Sequence, residues 1–404
     1  MGSARWAVSA HFLVMGLTAG VWMARVPAAK AQVHLSDGTL GVALFALPAG
    51  LVLGAALAER LVDRLGSAVL CRIAGVGGCV VTVTPGLAHT LPELMAALFG
   101  IGVFSGTLDV SQNNQGVRVE AAYGRPVMTS MHAGYSLGAI LGSLAGGALA
   151  ETNVALLPSL AAVGALGVLI DVAAGPWLLP GRQHAAAQGQ GVPARQGAKP
   201  PVDRRQVRRL VLTLGVLGVC GLVGEGAAGD WSAVYLKDNL GTGAGLASLG
   251  FAAFSVTMTL GRGVGDRLLH RFGVVPVIRV CGLLATLGLG AALATSVPGI
   301  TIVGFTLFGA GLSIVVPQVF AAGGRADPDR PGSGLAKVVG LGYTGMTAGP
   351  AIVGLVAGKI GLHVALVIPL VLAAWIAVAA PALRAPATAD HEDPIAAMPS
   401  AGIP

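Results

Sequence analysis

Ionisable side chains are rare in the long apolar stretches of this 404-residue chain, so each one that occurs there calls for a chemical explanation. Glu225 lies near the middle of one stretch, and a carboxyl group at that depth can exchange a proton with water if it faces a cavity. A hydrogen-bonded structural acid explains Glu225 equally well. Asp230 follows on the same stretch, and Arg25 occupies the equivalent depth of the first stretch. We expect Asp230 and Arg25 to pair when the outer end of the molecule closes, with solvation of each as the alternative.

Polar side chains also interrupt two other apolar stretches. Asp109 precedes a run of amides at 112–115, and its counterpart in the second half of the chain is Gln318. Amides donate and accept hydrogen bonds, so Asn113 and Gln318 suit a hydroxylated solute or a polar inner gate; solvation at a helix end is the alternative for the amide run. His132 can relay protons or can be a satisfied interhelical histidine. Asp109 and His132 therefore join the candidates for proton coupling.

Aromatic residues recur at equivalent positions of the two halves of the chain. Trp22 corresponds to Trp231, and Tyr135 corresponds to Tyr343. Rings at such paired positions can stack on the face of a bound solute, so all four are candidate solute contacts. Packing between helices, or anchoring at a membrane interface, is the alternative for the two tryptophans.

The composition indicates that helices in a membrane must position these residues. The chain is 54% hydrophobic and 11% charged, whereas soluble domains average about 25% charged residues. A helix needs about 20 apolar residues to cross a bilayer. Windows of that size predict an all-α membrane protein with twelve transmembrane spans, numbered here in chain order, at about 6–27, 38–57, 68–87, 92–112, 127–149, 154–177, 210–235, 246–263, 274–293, 298–321, 334–357 and 362–383.

Small and sulfur-containing residues fit this prediction. Glycines four residues apart run along span 5 from Gly134 to Gly146, and such ladders let helix backbones approach closely in membranes. The four cysteines show no spacing typical of metal ligands, so we expect buried, inert thiols. The eight histidines form no metal-binding motif. We therefore expect neither a metal nor a cofactor.

The distribution of basic residues predicts the orientation in the membrane. If twelve spans place both chain ends on one side, 21 of the 25 Lys and Arg residues lie on that side. The opposite side holds four, which are Arg25, Lys30, Lys237 and Lys359. Because positive residues accumulate in cytoplasmic loops, we expect both termini in the cytoplasm and a location in a bacterial inner membrane. The same bias explains the net charge of +7 without a nucleic-acid partner.

Internal sequence matches indicate that the chain is duplicated. We expect an N-terminal six-helix bundle over 1–177, a cytoplasmic linker over 178–209, a C-terminal six-helix bundle over 210–383 and a disordered tail over 384–404. Such repeats are typical of transporters, in which two pseudo-symmetric halves move about a central site. The matches, at offsets of 208 or 209 residues, pair 19–24 with 228–233, 98–102 with 307–311, and 134–136 with 342–344.

The loop after span 2 adds a family resemblance. It reads Glu-Arg-Leu-Val-Asp-Arg-Leu-Gly over 59–66, and a related Asp-Arg pair, Asp266 and Arg267, follows span 8. The pattern resembles the loop motif of the major facilitator superfamily, with Glu59 in place of the usual glycine. The resemblance implies two six-helix bundles and alternating access. It makes Asp63, Arg64, Asp266 and Arg267 candidates for a charged latch between the halves. The alternative is that these charges only set the orientation of the chain in the membrane.

Three further segments are similar to one branch of that superfamily. Residues 109–116, 131–138 and 229–236 resemble the YbjJ-like bacterial permeases, near the fucose-permease group. This branch implies no particular substrate.

Together these features predict a secondary active transporter, driven by an ion gradient and most simply by protons. No nucleotide-binding GxxxxGK[ST] motif occurs, which argues against direct ATP hydrolysis. Uptake of a sugar-like solute and efflux of drugs or metabolites both remain open. A membrane enzyme and a non-transporting sensor are disfavoured, because we find no catalytic cluster and no soluble signalling domain. We expect a monomer whose partners are the solute, the coupling ion and membrane lipid.

Overall fold

The structure is a computed structural model that describes residues 2–123, 127–180, 204–327 and 331–384. Regular secondary structure in these ranges is helical. Twelve spans in the described residues are long and apolar enough to cross a membrane, which confirms the predicted number. The helices of spans 1 to 12 cover Gly2–Gln32, Asp37–Leu65, Ser67–Val81, Leu91–Tyr123, Met128–Glu151, Leu156–Ala174, Arg204–Val234, Ala244–Phe272, Val274–Leu293, Pro298–Leu312 with Val315–Arg325, Pro331–Ile360, and Leu362–Ala365 with Val367–Ala379.

Turns with a left-handed backbone recur at equivalent positions of the two halves. Gly66 is the single residue between the helices of spans 2 and 3, and Gly273 is the single residue between spans 8 and 9; their φ angles are 83° and 80°. Glycine suits both sites because it has no Cβ to clash at positive φ. These turns, 207 residues apart, agree with the duplication read from the sequence. Two more left-handed pairs follow spans 1 and 7 and spans 5 and 11: His34 with Gly241, and Asn153 with Gly361.

Span 4 continues well beyond its apolar window. The window ends at about residue 112, but the helix runs to Tyr123. The amide run 112–115 therefore lies inside the helix, and Gln112 and Gln115 are fully buried. Solvation at a helix end is thus the wrong interpretation for these two residues. Gln115 instead donates to Ser67 Oγ at 2.8 Å and so ties span 4 to the start of span 3.

Span 7 begins earlier than its apolar window. Its helix starts at Arg204, so residues 204–209, which we expected in the linker, are helical. An arginine-rich first turn is compatible with a helix because arginine has a high helix propensity. Most of the predicted linker and nearly all of the predicted tail lie outside the described residues.

Packing divides the spans into two groups of six. In the first group span 1 lies along span 5 and span 2 along span 4; in the second, span 7 lies along span 11 and span 8 along span 10. The glycine ladder of span 5 faces span 1. A Cβ added to Gly134 would lie 2.8 Å from the carbonyl oxygen of Ser9, and one added to Gly138 would overlap the carbonyl of Leu13. Glycine therefore permits the close backbone approach that its spacing predicts.

The two groups of spans touch each other near one end of the molecule. We call this end the far face; it carries the turns at 33–36 and 240–243, and the terminal face is the opposite end, where the described chain begins and finishes. Span 2 meets span 11 near the far face, where a Cβ added to Gly41 would lie 2.5 Å from Gly354 Cα. The two backbones are therefore in direct contact there.

A second contact between the groups joins spans 5 and 8, again near the far face. The Ser143 hydroxyl donates to the carbonyl oxygen of Ser248 at 3.1 Å. The Gly245 backbone N–H donates to a carboxylate oxygen of Glu151 at 2.9 Å. Towards the terminal face, by contrast, His132 of span 5, Arg262 of span 8 and nearby residues of span 11 are exposed. The molecule is thus closed at the far face and open at the terminal face.

Candidate functional site

A cavity of about 220 Å³ lies at the centre of the molecule, between the two groups of spans. Most of its wall is apolar, and hydroxyl groups come from Thr18, Thr82 and Ser105. We call it the central cavity. Its lining consists of Met15, Thr18, Ala19, Trp22 and Met23 of span 1, Leu44, Leu47, Pro48 and Leu51 of span 2, Thr82 after span 3, Ile101 and Ser105 of span 4, Tyr135 of span 5, Gly226 and Asp230 of span 7, and Met346 and Pro350 of span 11.

Three residues predicted from the sequence converge on the central cavity. Trp22 is 3% exposed, and its indole nitrogen has no hydrogen-bond partner among the described residues. An oxygen of a bound solute can accept that N–H. Tyr135 lines the cavity from span 5, and Asp230 brings a carboxylate from span 7. The cavity thus offers a solute two aromatic rings, an unpaired indole N–H, several hydroxyl groups and one carboxyl group.

Polar side chains of the first half form a hydrogen-bonded chain on the terminal side of this cavity. Asn113 donates to the Asp109 side chain at 3.0 Å and to its backbone carbonyl at 2.8 Å. His132 Nε2 lies 3.1 Å from Asn113 Oδ1, and since an amide oxygen only accepts, the imidazole donates. The three predicted residues are therefore linked in the order His132, Asn113, Asp109.

The second half of the molecule supplies an ion pair at a similar level. Arg262 Nη2 lies 3.4 and 3.5 Å from the two carboxylate oxygens of Glu225. Arg262 Nε also donates to the carbonyl oxygen of Ser313 at 3.4 Å. The helix of span 10 is interrupted at 313–314, and such a break leaves carbonyl groups without an intrahelical partner. Glu225 is therefore ion-paired, and its partner Arg262 also donates a hydrogen bond to a carbonyl group at the break in span 10.

The two polar groups face each other across the cleft that opens to the terminal face. Arg262 is close enough to His132 to interact with it electrostatically. Tyr343 of span 11 is likewise within electrostatic range of both Asp109 and Glu225. We call the combined set of Asp109, Asn113, His132, Glu225 and Arg262 the polar layer. A solute or ion that leaves the central cavity towards the terminal face passes this layer.

Ion pairs close the far face on the other side of the cavity. Lys30 Nζ, at the end of span 1, lies 2.6 Å from Asp37 Oδ1 at the start of span 2 and 2.6 Å from Asp238 Oδ2 at the end of span 7. We call these three residues the far-face ion cluster. The bond to Asp238 joins the two halves of the molecule, so opening the far face must break it.

The predicted partners Arg25 and Asp230 are not brought together in this conformation, although its far face is closed. Arg25 is 3% exposed, and its Nη2 donates to the carbonyl oxygen of Val154 at 2.6 Å. It lines a separate cleft of about 500 Å³ at the far face, together with Glu151 and Lys237. Asp230 faces the central cavity instead. At the far face the two halves are joined by the far-face ion cluster, where we expected the Arg25–Asp230 pair.

Two other candidate solute contacts lie away from the central cavity. Trp231 is fully buried in the core of the second half. Gly226 and Asp230 of the same helix line the cavity, and one residue turns a helix by about 100°, so Trp231 points elsewhere. Its position matches packing between helices, which was the alternative to solute binding for this tryptophan. Gln318 is partly buried on span 10 and is not part of the cavity wall.

The residues of the predicted latch lie at the terminal face. Asp63 and Arg64 are exposed in the last turn of span 2, and Arg267 is exposed in span 8. The side chain of Asp266 lies outside the described part of the structure. A latch between the halves requires a closed terminal face, so its existence stays a prediction.

Four charged site residues were not singled out from the sequence: Arg262, Lys30, Asp37 and Asp238. Arg262 falls at the end of the apolar window of span 8, where an arginine is unusual. Lys30 is one of only four basic residues on its side of the chain, and acids of the same side follow at Asp37 and Asp238. The positions of Arg262 and Lys30 are unusual in the sequence, but the sequence does not identify the residues that they contact. Within the described ranges, no three His, Cys, Asp or Glu side chains are grouped in a way that could hold a metal ion.

The fold and the cavity define a class of protein: membrane transporters in which two groups of six helices enclose one solute cavity. The sequence profile of the Major Facilitator Superfamily matches residues 7–322 and 227–400. These matches together cover nearly the whole chain, so this protein belongs to the Major Facilitator Superfamily.

Two of three similar proteins are named as transporters, and the third is named as a membrane protein. The chain is 34% identical over 380 residues to the uncharacterized transporter y4wD of Sinorhizobium fredii, covering 93% of this chain and 97% of the relative. It is 31% identical over 357 residues to an uncharacterized MFS-type transporter of Yersinia pestis, covering 88% and 89%. Membrane protein MosC of Rhizobium meliloti is 28% identical over 378 residues, covering 89% and 85%.

Solved structures share the fold at low sequence identity. A variant of the nucleoside transporter NupG aligns with a TM-score of 0.74 at 13% identity, over 94% of this chain and 99% of that one. The D-xylose-proton symporter aligns with a TM-score of 0.68 at 16% identity, over 94% and 96%. At these identities the likeness is one of architecture.

Proposed function

We propose that this Major Facilitator Superfamily transporter is secondary active and couples the passage of a small organic solute to a proton gradient. One observation carries the proposal: the carboxylate of Asp230 and the ring of Trp22 share a cavity between the two halves, with the acids of the polar layer beside its exit. Titratable groups next to a solute site are the usual means of linking proton and solute movement in membranes.

Alternating access would follow from the asymmetric closure of the molecule. The far-face ion cluster and the Gly41–Gly354 contact hold the far face shut, while the terminal face is open. Rocking of the two halves would break these contacts and bring together the terminal ends of spans 2 and 11 and those of spans 5 and 8. The latch candidates Asp63, Arg64 and Arg267 lie where that closure would occur.

The proposed orientation places the terminal face in the cytoplasm of a bacterial cell. It depends on the basic residues, of which four of 25 belong to the far side. The conformation described here would then be the one open to the cytoplasm. We further propose that the protein acts as a monomer in lipid, without enzymatic activity, and that it belongs to the YbjJ-like branch.

The cavity wall supports a solute with both apolar and hydroxyl-bearing surfaces. Trp22 and Tyr135 can stack on an apolar face, and Thr18, Thr82 and Ser105 can hydrogen-bond to hydroxyl groups. A sugar-like solute has both features. Uptake of such a solute is the function that we favour.

Efflux of an amphiphile is a second candidate, and a specific observation favours it. Met15, Met23 and Met346 all line the central cavity. Methionine side chains are flexible and polarisable, so surfaces rich in them adapt to ligands of different shape. A cavity of this kind can accept several apolar solutes.

The experiment that tests the proposal is a ligand screen followed by transport. Purified protein is screened by thermal unfolding against sugars, amino acids and cationic drugs, and compounds that stabilise it are assayed in proteoliposomes with and without a pH gradient. We expect one class of compound to stabilise the protein and to accumulate only with the gradient. Stabilisation without transport in either direction would contradict the proposal, as would transport that is indifferent to the pH gradient.

A further inference from the structure

A second cluster of ionisable side chains lies inside the first half, away from the polar layer. His11 of span 1 and Asp171 of span 6 are both fully buried, with His11 Nε2 3.7 Å from Asp171 Oδ1. The thiol of Cys79 of span 3 lies 3.8 Å from the other carboxylate oxygen. Ionisable groups in the interior of a membrane bundle are costly and are usually functional. The proposed transport mechanism makes no use of these residues.

Hydrogen bonding shows where protons must be in this cluster. His11 Nδ1 lies 2.9 Å from the carbonyl oxygen of Ala7, and a carbonyl only accepts, so Nδ1 carries a hydrogen. In a neutral imidazole Nε2 then presents a lone pair, and it would face a carboxylate oxygen. Neither atom has a hydrogen-bond partner among the described residues. One proton placed on either atom turns this repulsion into attraction.

The protein backbone is shaped to accommodate the pair. A Cβ added to Gly75 would lie 2.6 Å from Asp171 Oδ2, and one added to Gly167 would lie 2.6 Å from Cys79 Sγ. Any larger residue at these two positions would displace the cluster. The glycines therefore define a fitted space for the acid and the thiol that donates to it.

Other polar groups approach the pair from span 3. Cys71 is within electrostatic range of Asp171, and Arg72 is within range of His11. The guanidinium of Arg72 is already engaged, because its Nε donates to the carbonyl oxygen of Gly175 at 2.8 Å. Arg72 is also exposed, so water screens its charge. A full counter-charge for Asp171 is therefore absent from the described residues around it, and a shared proton supplies the neutrality that a buried pair requires.

A small cavity lies between the neighbourhood of this pair and the central cavity. Its volume is about 10 Å³, which is about the space that one water molecule needs. On one side it is lined by Gly75, Gly78 and Cys79, next to the pair. On the other side it is lined by Thr18, Thr82 and Ser105, which also line the central cavity. One water in this position can hydrogen-bond to hydroxyl groups and to the thiol.

We infer that His11 and Asp171 form a proton-binding site that holds one proton and exchanges it with the central cavity through this water-sized space. The ligand is the proton, delivered from water. In the resting pair it lies either on Asp171 Oδ1 or on His11 Nε2, and both forms are neutral overall. The site stands apart from Glu225 and Asp109, and it exists whether or not the transported solute carries protons.

Infrared titration of the purified protein in light and heavy water tests this inference. The carboxyl stretching signals are followed from about pH 5 to about pH 9, around the usual histidine range. We expect one buried-carboxyl signal that shifts in heavy water, is lost in Asp171→Asn and, in His11→Gln, titrates about one pH unit or more away from its wild-type midpoint. Glu225→Gln and the exposed-site control Asp63→Asn should retain the signal, which separates the site from the transport proposal.

A second variant tests the path and does not depend on the stability of Asp171→Asn. Ser105→Val replaces a hydroxyl of the connecting space with methyl groups and should slow deuterium exchange of the buried-carboxyl signal by about tenfold or more. An unchanged spectrum in Asp171→Asn, an unchanged midpoint in His11→Gln, or a signal that never exchanges with heavy water would each overturn the inference.

Discussion

Glu225 and Arg262 form a long ion pair rather than a tight one. The nearest distance is 3.4 Å, and the arginine is partly exposed to the cleft. Such pairs contribute little to stability, about 0–1 kcal/mol, so a proton arriving at Glu225 can release Arg262 at small cost. The released guanidinium would still hold the carbonyl of Ser313 at the break in span 10. Protonation of one acid can therefore alter how span 8 contacts span 7 while its contact with span 10 is kept.

Neutralising this acid should uncouple transport from the proton gradient. In Glu225→Gln, accumulation of the solute against its gradient should fall to the level of empty proteoliposomes, while exchange of labelled for unlabelled solute continues, because the amide cannot carry a proton. Glu93→Gln, an exposed acid at the start of span 4, is the matched control and should behave like wild type. Gradient-driven accumulation that survives in Glu225→Gln would rule this residue out as the coupling acid.

The two paired tryptophans should respond differently to substitution. Trp22→Ala removes an aromatic wall of the central cavity and should weaken solute binding by about tenfold or more, about 1.4 kcal/mol. Trp231→Phe should leave the dissociation constant nearly unchanged but lower thermal stability, because this side chain is fully buried in the core. Isothermal titration and thermal unfolding measure the two effects. Equal losses of affinity in both variants would show that the cavity assignment is wrong.

At the scale of residues, the sequence predicted many of the side chains that line the site but few of the contacts that they make. Hydropathy singles out Glu225 because an acid interrupts an apolar run, yet it cannot name Arg262, which lies 37 positions later. Trp22 and Trp231 occupy equivalent sequence positions, but Trp22 points into the central cavity whereas Trp231 points into the core of the second half. His11 and Asp171 become a pair only when spans 1 and 6 pack together, and no local pattern predicts that.

Among the elements, spans 2 and 11 offer a direct test of far-face closure. A Cβ on Gly41 would lie 2.5 Å from Gly354 Cα, whereas a Cβ on Gly38 would lie 3.5 Å from Gly358 Cα, an ordinary contact. Gly41→Ala should therefore separate the two helices, at a cost of about 1–3 kcal/mol, while Gly38→Ala should be tolerated. A cysteine placed at Met23 in the central cavity reports the change, since the four native cysteines are buried.

The expected readout is labelling of Met23→Cys by a membrane-impermeant maleimide applied from the far side. Labelling should accelerate in the Gly41→Ala background and should not change in the Gly38→Ala background. If the two glycine variants label at the same rate, the contact between spans 2 and 11 does not control access.

The far-face ion cluster should act in the same direction with a smaller effect. Lys30→Gln removes the cation that bridges Asp37 and Asp238, and should shift the equilibrium towards far-face opening by about 1 kcal/mol, which is about fivefold. The labelling assay at Met23→Cys measures it. Lys237→Gln is the matched control, a lysine of the same face that lies outside the cluster. The effect should weaken only modestly at high salt, because partly buried ion pairs such as these are screened less than exposed ones.

Element boundaries show where reading the sequence stops being sufficient. The apolar window ends span 4 near residue 112, but the helix continues to Tyr123 because Gln112 and Gln115 are buried by neighbouring spans. Protein, rather than lipid, surrounds that part of the helix, and a polar residue is acceptable where it finds partners. The number of spans follows from hydropathy alone; their ends depend on tertiary contacts.

For the molecule as a whole, orientation is the property most open to a simple test. Reporters that are active only in the cytoplasm, fused to either chain end, should both be active, and a reporter inserted after Asn153 should be inactive. The reason is the uneven distribution of Lys and Arg between the two faces. If the two chain ends lay on opposite sides of the membrane, the number of spans could not be even, and the chain could not consist of two halves with six spans each.

The one-residue turns at Gly66 and Gly273 restrict how the halves can move. A hinge needs several free dihedral angles, and a single left-handed glycine between two long helices provides only two. Spans 2 and 3, and likewise spans 8 and 9, must therefore move as rigid pairs. Spans 3 and 9 carry exposed apolar side chains, such as Ile73 and Leu287, which would contact the lipid. A displacement of ångströms at the solute would thus be transmitted to the surrounding lipid, so bilayer thickness and lateral pressure should influence the rate at which the transporter turns over.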